Sequence, residues 1–290
     1  MCCRCFKTFI WKRPLNKIYR EQHWFRLWVQ ESYSIRQLVR LSGYSASKLK
    51  RIKNYWLEKS PSETIDYGTC KHLIYDGTYF HKDGCFIILM NAQTQKTISK
   101  IYAKKEGYKI ARAWFLALKN KKLDPRYITM DGERGVMRAA QEVWPKAKIQ
   151  RCLYHIQSQG MSWLRTHPKT QAGQDLRCLL STLCSIKSVK ERDIFIERFY
   201  QWLEHYHSFV ESLPKGQVAY KDLRRAVSLI DNAIPDMFHY LDEPDVHKTS
   251  NALESYFSRL KADYRRHRGL TQENKIQYLK WYTHYKNGPN

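Results

Sequence analysis

The chain is poor in acid. Its 27 aspartates and glutamates face 51 lysines and arginines, a formal net charge of +24 in 290 residues. That excess is well beyond what solubility asks of a surface and argues for a polyanionic partner, nucleic acid ahead of an anionic membrane face. Long apolar runs are lacking too. The longest, around Cys85 to Met90, falls far short of the ~18 residues of a membrane-spanning helix. The first residues mix lysine and arginine into a short apolar segment without a signal-peptide cleavage pattern, which predicts a reducing, cytoplasmic compartment. A secreted disulfide framework is missing as well, since the eight cysteines are scattered outside the N-terminus. Neither an internal repeat nor a low-complexity tract is found, and the length allows one large domain or two smaller ones.

Cys2, Cys3 and Cys5 break the scatter. The spacing of Cys2 and Cys5 suits two ligands of a tetrahedral zinc, but a closed structural site needs four and no second pair follows nearby. Loose reduced thiols explain the pair equally well. Residues 16–60 then show helical spacing, with Ile35, Leu38 and Val39 ahead of a Ser-Gly-Tyr-Ser turn and Leu49, Ile52 and Trp56 after it. Gly43 supplies the turn and Ser45 the cap of a second helix bearing Lys48, Lys50, Arg51 and Lys53. This is the pattern of a helix-turn-helix that offers its second helix to the DNA major groove; a helical hairpin with a solvated basic face is the plainer alternative. Residues 58–68 have linker composition, and a domain boundary is placed there.

Beyond it the period changes to that of strands. The expected order is strand 71–81, hairpin, strand 85–91, strand 97–103, helix 108–120, strand 126–131, helix 134–143 and strand 147–153. Three antiparallel strands followed by alternating helix and strand describe an α/β fold with a mixed sheet. Residues 156–247 turn helical, with Phe195, Phe199, Trp202, Tyr206, Phe209 and Leu213 forming an apolar stripe that reads as core. Two more helices follow. The first, over 248–266, sets Leu253, Phe257 and Leu260 on one side and Arg259, Lys261, Arg265 and Arg266, further expected DNA contacts, on others; the last places Ile276, Leu279 and Tyr282 or Thr283 in register.

Of three Asp-Gly pairs, only Asp83-Gly84 lies between two strand patterns and reads as a hairpin turn. Asp76 falls inside the first strand, where burying a carboxylate on a sheet face is costly unless it is paired or bound to metal. Asp131 ends the fourth strand, where ligands gather in open α/β sheets. Two such carboxylates, with Glu254 as a third, suit hard divalent cations that bridge to phosphate oxygens. Each has a structural alternative. Asn251 and Glu254 match a helix capping box, Asp131 opens an irregular turn, and Asp76 has many lysines to pair with.

The ordered blocks YDGTYF, TMDGERG, QRCLYHIQ and TSNALESYFSRLKADYRRHRGL resemble the Mutator-like superfamily of insertion-sequence transposases. The resemblance implies an RNase H-like core split by an all-helical insertion, with Asp76, Asp131 and Glu254 as catalytic residues ligating two Mg²⁺ or Mn²⁺ ions. It implies a DDE transposase that binds terminal inverted repeats, cleaves DNA and joins the 3′-hydroxyl to target DNA. The Cys-x-x-His element falls on Cys152 and His155, as accessory residues beside the site or as a buried cysteine with a core histidine. Domains follow as a zinc-ribbon remnant (1–15, retaining Cys2 and Cys5), the helix-turn-helix (16–60), the first part of the core (68–155), the insertion (156–247) and C-terminal helices completing the core (248–290). The missing zinc pair suggests a truncated start. The expected protein is bacterial and nucleoid-associated, a homodimer or larger assembly on DNA. A non-catalytic DNA-binding descendant of a transposase is the first rival, and an RNase H-like nuclease without strand transfer the second.

Overall fold

The computed structural model describes residues 15–80, 83–267 and 269–288. The expected zinc ligands Cys2 and Cys5 lie outside them. The described residues form two compact units, one from those up to Thr64 together with those from Tyr256 on, the other from Ile65–Ser255.

The first unit opens with helices α1 (Leu15–Gln30), α2 (Ile35–Ser42) and α3 (Ala46–Leu57). Ser34 and Gln37 close a capping box on α2, and Gly43, in the left-handed region at φ 68°, ends it. Ser45 then accepts a hydrogen bond from the Lys48 amide and starts α3, as the spacing predicts. Lys50 and Arg51 are exposed on α3 while Lys48 and Lys53 are half-buried. The rest of the unit comes from the chain's other end, through most of α10 (Asn251–Arg265) and all of α11 (Gln272–Lys286). Aromatic packing explains that grouping: the Phe25 ring stacks on Trp56 at 6.1 Å and meets Trp281 edge-on at 5.4 Å. The Trp281 indole N–H donates to the carbonyls of Trp56 and Lys59, so its polar end is satisfied inside the core. The described residues from Tyr256 on, assigned from sequence to the catalytic core, therefore pack with the N-terminal helices. On α11 the buried set is Lys275, Tyr278, Leu279, Trp281, Tyr282 and Thr283, with Ile276 only half-buried, because aromatic neighbours widen the contacting face.

The second unit is built on a five-stranded mixed sheet in the order β3-β2-β1-β4-β5. Its strands are β1 (His72–Tyr79), β2 (Cys85–Asn91), β3 (Thr97–Ala103), β4 (Tyr127–Met130) and β5 (Lys148–Arg151). The first three pair antiparallel, while β4 pairs parallel with β1 and β5 parallel with β4. Asp83-Gly84 is a turn as expected: the Phe80 amide donates to the Gly84 carbonyl at 2.9 Å, and Gly84 has φ 137°. A β-carbon there would lie 2.7 Å from the Ala103 carbonyl, so only glycine fits. Helices α4 (Tyr108–Asn120) and α5 (Arg134–Val143) cover one face. Phe115, Leu118 and Trp144 pack there on Leu73, Tyr75, Ile128 and Met130.

Cys152 stands at the N-cap of α6 (Leu153–Leu164), so β5 stops at Arg151 and the helical region begins at Leu153. It continues through α7 (Gln171–Ser181), α8 (Val189–Ser212) and α9 (Val218–Asp231) around a separate core. Phe195, Phe199 and Trp202 are buried in it as predicted, but Phe209 is 39% exposed and Val210 takes the inner position. After Tyr206 the inward face of the long helix moves to the four-residue step.

Candidate active site

Alternation along β1 sends Leu73 and Tyr75 into the core under α4 and α5, and Ile74 and Asp76 to the opposite face. In the parallel ladder Ile74 stands opposite Thr129. Two residues further in the same register bring Asp76 level with Asp131, which follows the last residue of β4. The face they share is covered by the segment leading into α10. Thr129 Oγ1 donates to the His247 carbonyl at 2.8 Å, the Leu153 amide to the Lys248 carbonyl at 2.9 Å, and the Ser250 amide to Cys152 Sγ at 3.3 Å. These bonds seat the first turn of α10, and with it Glu254, against the strand ends.

Asp76, His155 and Glu254 come together, each presenting one ligand atom within 4.8 Å of the others. His155 Nε2 is 3.6 Å from Glu254 Oε1, an atom that is buried and has no hydrogen-bond partner among the described residues. The capping-box alternative for Glu254 does not hold, because α10 begins at Asn251 and places Glu254 one position beyond the capping partner. No lysine pairs with Asp76 among the described contacts; its Oδ1 accepts the Gly77 amide at 2.8 Å. Asp131 lies outside the three-residue set. Its Oδ1 accepts the Glu133 amide at 3.1 Å, so its turn role is real, and its charge also bears on Asp76 and His155.

Burial pushes the Asp76 carboxyl up to about 7, with the Asp131 and Glu254 charges adding and His155 and the Gly77 amide opposing. His155 moves up to about 9, chiefly through its hydrogen bond with Cys152 and against its own burial; the charges of Cys152, Asp76 and Asp131 reinforce the shift. Burial opposes ionisation of Cys152, yet His155 and Ser250 together bring the thiol below its ordinary range. Ser250 Oγ lies 3.5 Å from Cys152 Sγ and 3.4 Å from His155 Nδ1, joining the two. Cys152 and His155 therefore form a coupled pair at the carboxylates.

Two neighbours carried no usable sequence signal. Glu106, in the loop before α4, accepts a hydrogen bond from the buried Tyr75 hydroxyl and is raised by burial. Arg151 at the end of β5 is buried, and its Nε has no hydrogen-bond partner among the described residues. A β-carbon on Gly132 would collide with this guanidinium, so glycine after Asp131 admits the arginine.

The expected DNA contacts lie elsewhere. Lys48, Lys50, Arg51 and Lys53 are on α3; Arg259 and Arg265 are exposed on α10, Lys261 is half-buried there, and Arg266 is exposed just past its end. All eight belong to the first unit.

A mixed α/β sheet with one carboxylate inside its first strand and another at the end of its fourth defines the general class, and comparison with known proteins narrows it. Residues 72–159, from β1 into α6, match the MULE transposase domain, which supports the Mutator-like transposase family and a transposase-related function. The matched stretch contains Asp76, Asp131, Cys152 and His155. No curated protein matches the chain. Among solved structures, the chain is similar to one in a cryo-electron-microscopy structure of the simian T-cell lymphotropic virus intasome in complex with the PP2A regulatory subunit B56 gamma. The identity is 12% and the TM-score 0.26, over 77% of this chain and 65% of that one. The chain thus spans less than two thirds of that relative's length.

Proposed function

We propose that the protein is a DDE transposase with an RNase H-like core, which binds transposon ends, cleaves DNA and transfers the 3′-hydroxyl strand to target DNA. The observation that carries this reading is the meeting of Asp76 and Glu254, from opposite ends of the second unit, with Asp131 level with Asp76 in the parallel ladder. The donors fit divalent cations: Glu254 Oε1 is buried without a hydrogen bond among the described residues, and burial resists charge on Asp76 unless a cation is near. Asp76, Asp131 and Glu254 would hold two Mg²⁺ or Mn²⁺ ions. Bound there, the ions supply Lewis-acid stabilisation of charge on phosphate oxygens. The chain's own part is to present oxygens from rigid elements and to hold a proton on His155 Nε2 beside Glu254, the ring being fixed through Cys152 and Ser250.

Helices α2 and α3 are read as the helix-turn-helix that recognises the ends, with Lys50 and Arg51 as its most exposed cations. Arg259, Arg265 and Arg266 add phosphate contacts. A homodimer or larger assembly on DNA and a nucleoid location belong to the same reading. The test is divalent-dependent nicking and strand joining by the purified chain on DNA that flanks its own reading frame. Wild-type activity lost in Asp131→Asn, with DNA binding kept, supports the proposal. One observation favours a non-catalytic DNA-binding protein instead, namely that Asp131 lies outside the 4.8 Å set. That reading expects no divalent-dependent cleavage in any form of the chain.

A further inference from the structure

At Gly132, the residue after Asp131, the second unit has a cavity of about 490 Å³ whose lining carries four arginines. Arg134 comes from the start of α5, Arg151 from the end of β5, and Arg224 and Arg225 from α9; Gly132 and Trp163 complete the part that matters here. Arg151 is only 7% exposed, and its Nε faces no hydrogen-bond acceptor among the described residues. Asp131, Asp236 and Cys152 bear on its charge and Arg134 opposes it, and no ion pair to Arg151 is found among the described residues. Of the other three cations, only Arg224 has a carboxylate partner among the described residues, Glu211 at 3.0 Å. A buried guanidinium among like charges is costly to maintain without an anion. Arginine's planar fork matches a phosphate with two parallel N–H donors, and the volume is in the range of ligand sites.

We infer that this cavity binds a phosphodiester of a DNA strand whose neighbouring nucleotides pass Asp131. The site rests on the transposase reading for its ligand and on the arginine geometry for its existence. Gly132 is both a wall of the cavity and the residue after Asp131, so a phosphate seated on Arg151 is continuous with a strand at the carboxylates. Trp163 offers an apolar ring beside the arginines, a surface on which a base can stack. None of the eight basic residues expected on α3 and along or just past α10 lines the cavity.

The test is fluorescence anisotropy of the full-length protein with a labelled single-stranded DNA 20-mer, in EDTA, at several salt concentrations. Arg225→Glu and Arg134→Glu, both exposed, are compared with Arg198→Glu, an equal charge change on the exposed side of α8. The cavity variants should bind about tenfold more weakly and lose about one unit of the log–log salt slope, with Arg198→Glu close to wild type. A scan of single neutral methylphosphonates should reveal one position that weakens wild-type binding but not Arg225→Glu. Equal losses in all three variants would mean a diffuse field and overturn the site. Competition by millimolar inorganic phosphate or a deoxynucleotide, without any sensitive methylphosphonate position, would show a small-anion site and overturn the strand assignment. Because no metal is present, a protein that never cleaves DNA still reports on the cavity. Conversely, cleavage by wild type with Arg225→Glu behaving like Arg198→Glu leaves the transposase reading standing and removes the site.

Discussion

Helix α3 and the strand ends of the second unit carry charge in opposite settings. On α3, Lys50 and Arg51 stand in water, where a charge needs no partner and its removal disturbs little. In the second unit Asp76, within β1 and level with the end of β4, is 8% exposed with two further carboxylates bearing on it. The +24 net charge made the basic helix conspicuous. Yet a basic solvated face is common, whereas a buried carboxylate with two others bearing on it opposes folding and persists for another reason. Burial against like charge is the sharper mark of a site than charge alone.

The contrast breaks most clearly in activity. Asp76→Asn, Asp131→Asn and Glu254→Gln should each lower divalent-dependent strand cleavage by at least ~10²-fold while duplex binding stays near wild type, and a gel assay on labelled ends checks both. Replacing Lys50 and Arg51 by alanine should do the reverse. Duplex affinity falls about tenfold and the salt slope by one to two units, with the metal-free melting temperature unchanged.

Stability gives the next effect. With the folded Asp76 carboxyl at about 7 and its ordinary value at 3.8, the folded state holds a proton that the unfolded state has released. Stability therefore falls as pH rises from about 4 to 7, and the loss is complete above that. Asp76→Asn should consequently raise the melting temperature of the metal-free protein at pH 8 by several degrees, for a gain on the order of 2–4 kcal/mol. Magnesium should stabilise the wild type and not the variant; equal shifts in both would remove Asp76 from the ligand set. His155 runs the other way. Its raised value gives stability that is full below 6.5 and lost as pH rises through about 9.

The smallest expected change concerns the Cys152–His155 pair. Cys152→Ser weakens the hydrogen bond that contributes most to the His155 shift, so the imidazole should titrate nearer its ordinary value by NMR. Cleavage should then change only severalfold, with its pH dependence displaced toward acid. An unmoved His155 titration would assign the shift to the carboxylates.

Local chemistry made much of this legible. Hydrophobic alternation located all five strands to within a few residues, and Asp83-Gly84 declared its turn because glycine alone tolerates that backbone. Asp76 was visible as a charge inside a strand, and Asp131 as one at a strand end. Glu254 could not be separated from a cap by spacing, since the decision depended on where α10 begins. Phe209 was misplaced because a long helix drifts against its core over several turns.

Residue types, periods and turn chemistry thus determined the order of elements, the mixed sheet and the first two candidate carboxylates. These are properties of short stretches, set by backbone sterics and by which side chains leave water. Tertiary structure alone decided that His155 joins Asp76 and Glu254, that Arg151 is buried beside Gly132, and that the described residues from Tyr256 on pack with the N-terminal helices. Each depends on segments distant in the chain meeting in one place, where burial changes the energy of a charge and no local pattern records it.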